Sequence, residues 1–275
     1  VDNITGANSN NISGTVTLTG NGAASDITFA TNASTFNALT ATATRNIAVN
    51  IGLSTDTGAL SLTSDSDGNN TGSFAQTAGT ISTNNGAISV TNGDANSGTG
   101  NVLLGAITDT GGAGITVTSQ EGSILENAAN SSLLTSAGTI NLRAGFTTKG
   151  ATAVGTSADA INTAGGTLTA SSGTGGIFLD EADGATISTV AVTGATGDIR
   201  VQNVAAGNLT TTGAVTTQGG SITLASVSSL SVGANVTVSA STGTISLTSD
   251  SNGDNTGSFA QTAGTISTNN GAISV

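Results

Sequence analysis

The 275 residues include no cysteine, proline, methionine, tryptophan, tyrosine or histidine, and only six phenylalanines. Without cysteine no disulfide holds the fold, which leaves the redox compartment open. Proline cannot donate to a strand ladder, so its absence over this length fits a chain whose strands have neighbours on both sides. Cations are almost as scarce, with four Lys and Arg against 16 Asp and Glu and a net charge of −12. Arg45, Arg143, Lys149 and Arg200 form no cluster, so the basic stripe that displaces counterions from phosphates is missing, and nucleic acid is excluded as a partner. Anionic membrane surfaces are disfavoured for the same reason. No apolar run is long enough to cross a bilayer, and residues 1–10 have neither the basic end nor the apolar core of a signal peptide. Any export signal is therefore expected upstream of Val1.

What remains is glycine, 40 residues of it, together with Thr, Ser, Ala and Asn. Val, Leu, Ile and Phe number 59, about a fifth of the chain, near the level at which a highly charged chain stays disordered. Here the charge is thin and the apolar residues are evenly spaced, which predicts folding. One stretch occurs twice. Residues 58–90 return as 243–275, at an offset of 185, with four differences in 33 positions: Ala59/Thr244, Leu60/Ile245, Asp67/Asn252 and Asn69/Asp254. Such repetition marks a stack of equivalent units rather than a globule. The second copy runs to Val275 with no stop signal, which predicts a window on a longer array.

A short pattern recurs throughout: a Gly, Asn or Asp, then alternating apolar and polar residues, as in Gly14-TVTL, Gly86-AISV, Gly138-TINL, Gly176-IFL and Gly220-SITL. Period-two alternation with β-branched enrichment between turn formers predicts strands of about three to five residues. No helical stripe survives the Gly and Thr content. The stronger strands lie 23 to 31 residues apart, with weaker ones between them at seven-residue spacing, such as Phe74, Ile81 and Ile88. Three short strands per coil is the arithmetic of a parallel β-helix, in which like residues stack. Asn84-Asn85-Gly86 would also suit a hairpin, but the repeated seven-residue spacing favours a coil that winds one way. About seven coils separate Gly58 from Gly243, an axial advance of about 34 Å at the usual strand spacing. The predicted fold is one continuous β-solenoid over 1–275, aliphatic inside, with Thr and Ser facing outwards and no charged or helical cap at either end.

The pattern, as in Gly138-TINL and Gly220-SITL, resembles the repeat regions of filamentous-haemagglutinin-like adhesins and other large repetitive bacterial surface proteins. The resemblance covers nearly the whole chain. It implies a right-handed parallel β-helix, export, and service as an adhesin shaft or cell-surface fibre.

Three groups could carry chemistry. In the duplicated unit Asp65, Asp67, Asn69 and Thr71 alternate in a tight loop, and Asp250, Asn252, Asp254 and Thr256 repeat them with the charge count kept. Alternating oxygens of this kind suit calcium. Against that, no Gly holds the sixth loop position, Gln76 stands where a helix-loop-helix site has Glu, and the alternative is a solvated Asx turn. Asp180, Glu181 and Asp183 follow a strand, and paired carboxylates cleave sugars; the chain offers no His, no Trp or Tyr platform and few cations to assist. These acids therefore read as a polar loop, and no catalytic residue is expected. Thr15, Thr17, Thr19, Thr116 and Thr118 raise an ice-binding face, but unequal coil lengths predict broken ladders, so threonine reads as the β-branched residue that tolerates solvent. The sequence therefore predicts a non-catalytic, extracellular structural protein whose partners are copies of itself, further coils or head-to-tail chains, with surface polysaccharide as another candidate. The alternatives are a β-helix that binds or cleaves carbohydrate, and an ice-binding solenoid.

Overall fold

A computed structural model describes residues 1–9, 11–69, 71–93, 100–128, 133–145 and 150–275. Asn70, inside the first acidic loop, and Lys149 lie outside the described residues. The chain is an all-β solenoid of about 10 turns with every strand pairing parallel. Its strands lie on three faces around an aliphatic interior. On the first face Val16, Leu39, Leu60, Ile88, Ile115, Ile140 and Leu168 are stacked partners. The second face runs through Ile27, Ile47, Phe74, Val102, Ile124 and Val154 to Ile177, Ile199, Ile222, Ile245 and Ile273. The third stacks Leu53, Ile81, Ile107 and Leu134.

Coil length varies as expected, although the extremes differ slightly. Second-face partners are 20 residues apart at Ile27 and Ile47, and 30 apart at Ile124 and Val154. The surplus sits in the corners, so the second-face ladder itself stays in register. Between Leu60 and Val236 the first-face lineage makes seven turns, and Ile245 opens the next strand.

Two features depart from the sequence reading. A set of polar residues faces inward at the corners: the hydroxyls of Thr55 and Thr83 donate to the carbonyls of Gly58 and Gly86, and Gln76 Nε2 donates to Gly79 and Ala106. A corner turns carbonyls toward a dry interior, and the last inward side chain of the strand satisfies them. Gln76 thus closes a corner, its oxygen also accepting the Gly105 N–H. The N-terminal stretch also carries one helical turn, Gly6–Ser9, and lies along the third face, where Thr35 donates its N–H to the Ile4 carbonyl at 2.7 Å.

Glycine is obligatory where corners stack. A Cβ on Gly243 would sit 2.3 Å from the Gly220 carbonyl oxygen, and one on Gly271 would stand 1.9 Å from that of Gly243. The corner column Gly197, Gly220, Gly243, Gly271 therefore allows backbone to touch backbone.

The section is reorganised between Ala153 and Thr217. The strand Gly176–Glu181 lies over Ala153–Val154 of the second face and over Ile161–Thr163 of the third, fusing the two. Ala185–Val192 lies over the first face and is itself covered by two strands, Leu209–Thr211 and Val215–Thr217. Ser188 is an extra residue in that pairing, and a Cβ on Gly213 would overlap its carbonyl oxygen at 1.2 Å. One face divides where two merge, and three faces persist. In consequence the twin strands differ in place: Leu60–Ser64 belongs to the first face, whereas Ile245–Thr248 stands on the fused second and third.

Candidate functional site

The two acidic loops open in the same way. Asp65 and Asp250 both have φ 52, left-handed values that Asp tolerates. Their N–H groups donate to the carbonyls of Arg45 and Ser228 on the preceding coil. Gly72 and Gly257 close the loops where a Cβ would fall 2.3 Å and 2.4 Å from those same carbonyl oxygens. In the second copy the Asp250 carboxylate accepts the N–H of Asp254 at 3.1 Å and of Asn255 at 3.0 Å. Asp254 accepts from the Thr256 hydroxyl and N–H and from Asn252, and the Thr256 hydroxyl chiefly holds its pKa below the usual carboxylate value. In the first copy Asp67 accepts from Asn69, and Asn69 in turn from Thr71. The structure thus gathers Asp67, Asn69 and Thr71, and Asp250, Asn252, Asp254 and Thr256, into hydrogen-bonded Asx turns, with Asp65 opening the first loop through its backbone. Among the described residues no three Asp or Glu side chains converge as a metal-binding group.

The acids after Gly176 fall on opposite sides of one strand. Period two turns Ile177, Leu179 and Glu181 inward and Phe178 and Asp180 outward. Asp180 and Glu181 cannot therefore act on one substrate. Outside, Arg200 reaches Asp180 at 3.4 Å, stands 5.7 Å from the Phe178 ring centre and donates to the Ser157 carbonyl. Inside, Glu181 is fully buried at the fusion of the two faces; its Oε2 accepts the Thr163 hydroxyl at 2.5 Å and its Oε1 accepts the Gly165 N–H at 3.1 Å. Burial, reinforced by hydrogen bonding with the Asp183 carboxyl, pushes its pKa up to about 7.

Asp183 stands where two shallow clefts meet. One, about 390 Å³, is lined by Thr135, Ser136, Gly165 and Gly184; the other, about 270 Å³, reaches Thr186 and Asn208. Behind the first, Ser136 donates to Asp109, whose carboxylate also accepts the N–H groups of Gly111 and Gly114. The pair brought together is therefore Glu181 with Asp183, and the alternation of Ile177, Leu179 and Glu181 was the legible signal for it.

Fold and sites define a β-solenoid repeat protein. No family model matches the chain, and no curated protein or solved structure matches it. No helix among the described residues is long and apolar enough to cross a membrane.

Proposed function

We propose that the chain is a structural component of an extracellular filament or adhesin shaft and acts without catalysis. The observation that supports it is the parallel ladder running through eleven second-face strands from Ile27 to Ile273. In such a ladder each coil binds only its neighbours, so stability adds up along the axis and length grows by duplication. The two near-identical segments are what growth by duplication leaves behind. Partners on this reading are copies of the same coil, in the same chain or a neighbouring one. Electron microscopy of native material with labelled antibody tests it: thin surface fibres carrying the label are expected, with an axial period near 34 Å where 185-residue units follow one another. Label confined to the cell interior would end the proposal.

The carbohydrate reading keeps one supporting observation, Asp183 at the meeting of two clefts with the buried Glu181 carboxyl hydrogen-bonded behind it. Polysaccharide hydrolysis lost on Asp183→Asn, with Asp180→Asn as the outward control, would establish it over the fibre.

A further inference from the structure

The outward side of the first face carries a hydroxyl lattice that unequal coil lengths do not break. Its strands Val16–Gly20, Leu39–Ala43, Leu60–Ser64, Ile88–Asn92 and Ile115–Ser119 are each five residues long, so each turns two side chains outward. Thr19, Thr42, Thr63, Thr91 and Thr118 are stacked partners in one rank. Thr17, Thr40, Ser61, Ser89 and Thr116 form the other. No bulge enters either rank over these coils, because the loops at the corners absorb every difference in length. The next coil ends the pattern with Asn141 and Arg143.

The ten hydroxyls differ from the inward ones. Thr55 and Thr83 spend theirs on corner carbonyls, and Thr35 pairs with Ser54 on the third face. Within the two ranks no side chain hydrogen-bonds to protein among the described residues, and none is charged. Thr17 and Thr19 are exposed, seven more are half-buried, and only Thr118 is covered. Threonine is stiff at χ1, so each Thr presents its methyl and hydroxyl at a set angle. The lattice repeats at about 4.8 Å from coil to coil and about 6.6 Å along the strand. The coil-to-coil repeat is close to the shorter spacing of the water oxygens on a prism face of ice, and the strand repeat falls somewhat below the longer one.

We propose that this face binds ice, by ordering water into ranks that continue the crystal lattice. A crystalline polysaccharide is the rival occupant of a flat polar face, but that partner is held by aromatic platforms, and the chain has no Trp or Tyr. The inference does not depend on the fibre reading.

The test is freezing hysteresis and ice-affinity partition of the whole chain, with melting curves as the control for folding. Wild-type protein should partition into ice and lower the freezing point below the melting point. Thr63→Lys, which plants a charged side chain mid-rank, should abolish both effects at an unchanged melting curve. Ser61→Thr with Ser89→Thr completes the second rank and should at least double the hysteresis. Failure of both the wild type and the double Thr variant to enter ice would overturn the proposal. So would wild-type activity in Thr63→Lys, or retention on cellulose or chitin in place of ice.

Discussion

Glu181 gives the sharpest test of the reading of the junction. The side chain is fully buried, and its carboxyl is pushed from 4.5 to about 7 chiefly by burial. A folded-state pKa above the unfolded one means that the folded protein holds the proton more tightly, so the stabilisation is complete below about pH 4.5 and is lost as pH rises through about 7. The shift corresponds to on the order of 3 kcal/mol between pH 5 and pH 8. For a chain of this size that is a fall in Tm of roughly 5–10 °C. The absence of histidine and cysteine keeps the window clean, since no ordinary side chain titrates there. Glu181→Gln imitates the protonated acid: its oxygen can still accept from Gly165, and its amide can donate toward Asp183 and the Thr163 oxygen. Melting curves from pH 5 to pH 8 should therefore slope downward for the wild type and run nearly flat for Glu181→Gln. Parallel slopes would refute the account, and so would a wild-type Tm that rises with pH.

Other outcomes follow from the same structure. Phe74 is fully buried, so Phe74→Ala should cost about 3–5 kcal/mol in denaturant melts; a loss below about 1 kcal/mol would contradict the burial. Gly86→Ala drives a Cβ to 2.1 Å from the Gly58 carbonyl oxygen and should destabilise by about 3 kcal/mol or more, while Gly14→Ala, with open space around it, stays within about 0.5 kcal/mol. Because the carboxylates of the second acidic loop already accept N–H donors, a chelator should leave the melting curve unchanged. A drop of several degrees that calcium restores would place a cation among Asp250, Asn252, Asp254 and Thr256.

What the sequence determined was local. Period-two alternation, with Gly and Asx residues at intervals, specifies short strands and tight corners, because strand direction and turn geometry depend on a few neighbouring residues. The near-identical loops at Asp65 and Asp250 accordingly fold alike, down to the same left-handed φ. The tertiary structure alone decided the environment of each piece. Twin strands stand on different faces because of an extra residue at Ser188 and a strand, Gly176–Glu181, that lies over two faces at once, more than 50 residues before the second copy. Glu181 became a buried acid because the two faces fuse over it, and ten separate Ser and Thr residues became two ranks because loop length drops out once strands stack. Register between coils is a long-range pairing, and burial follows register.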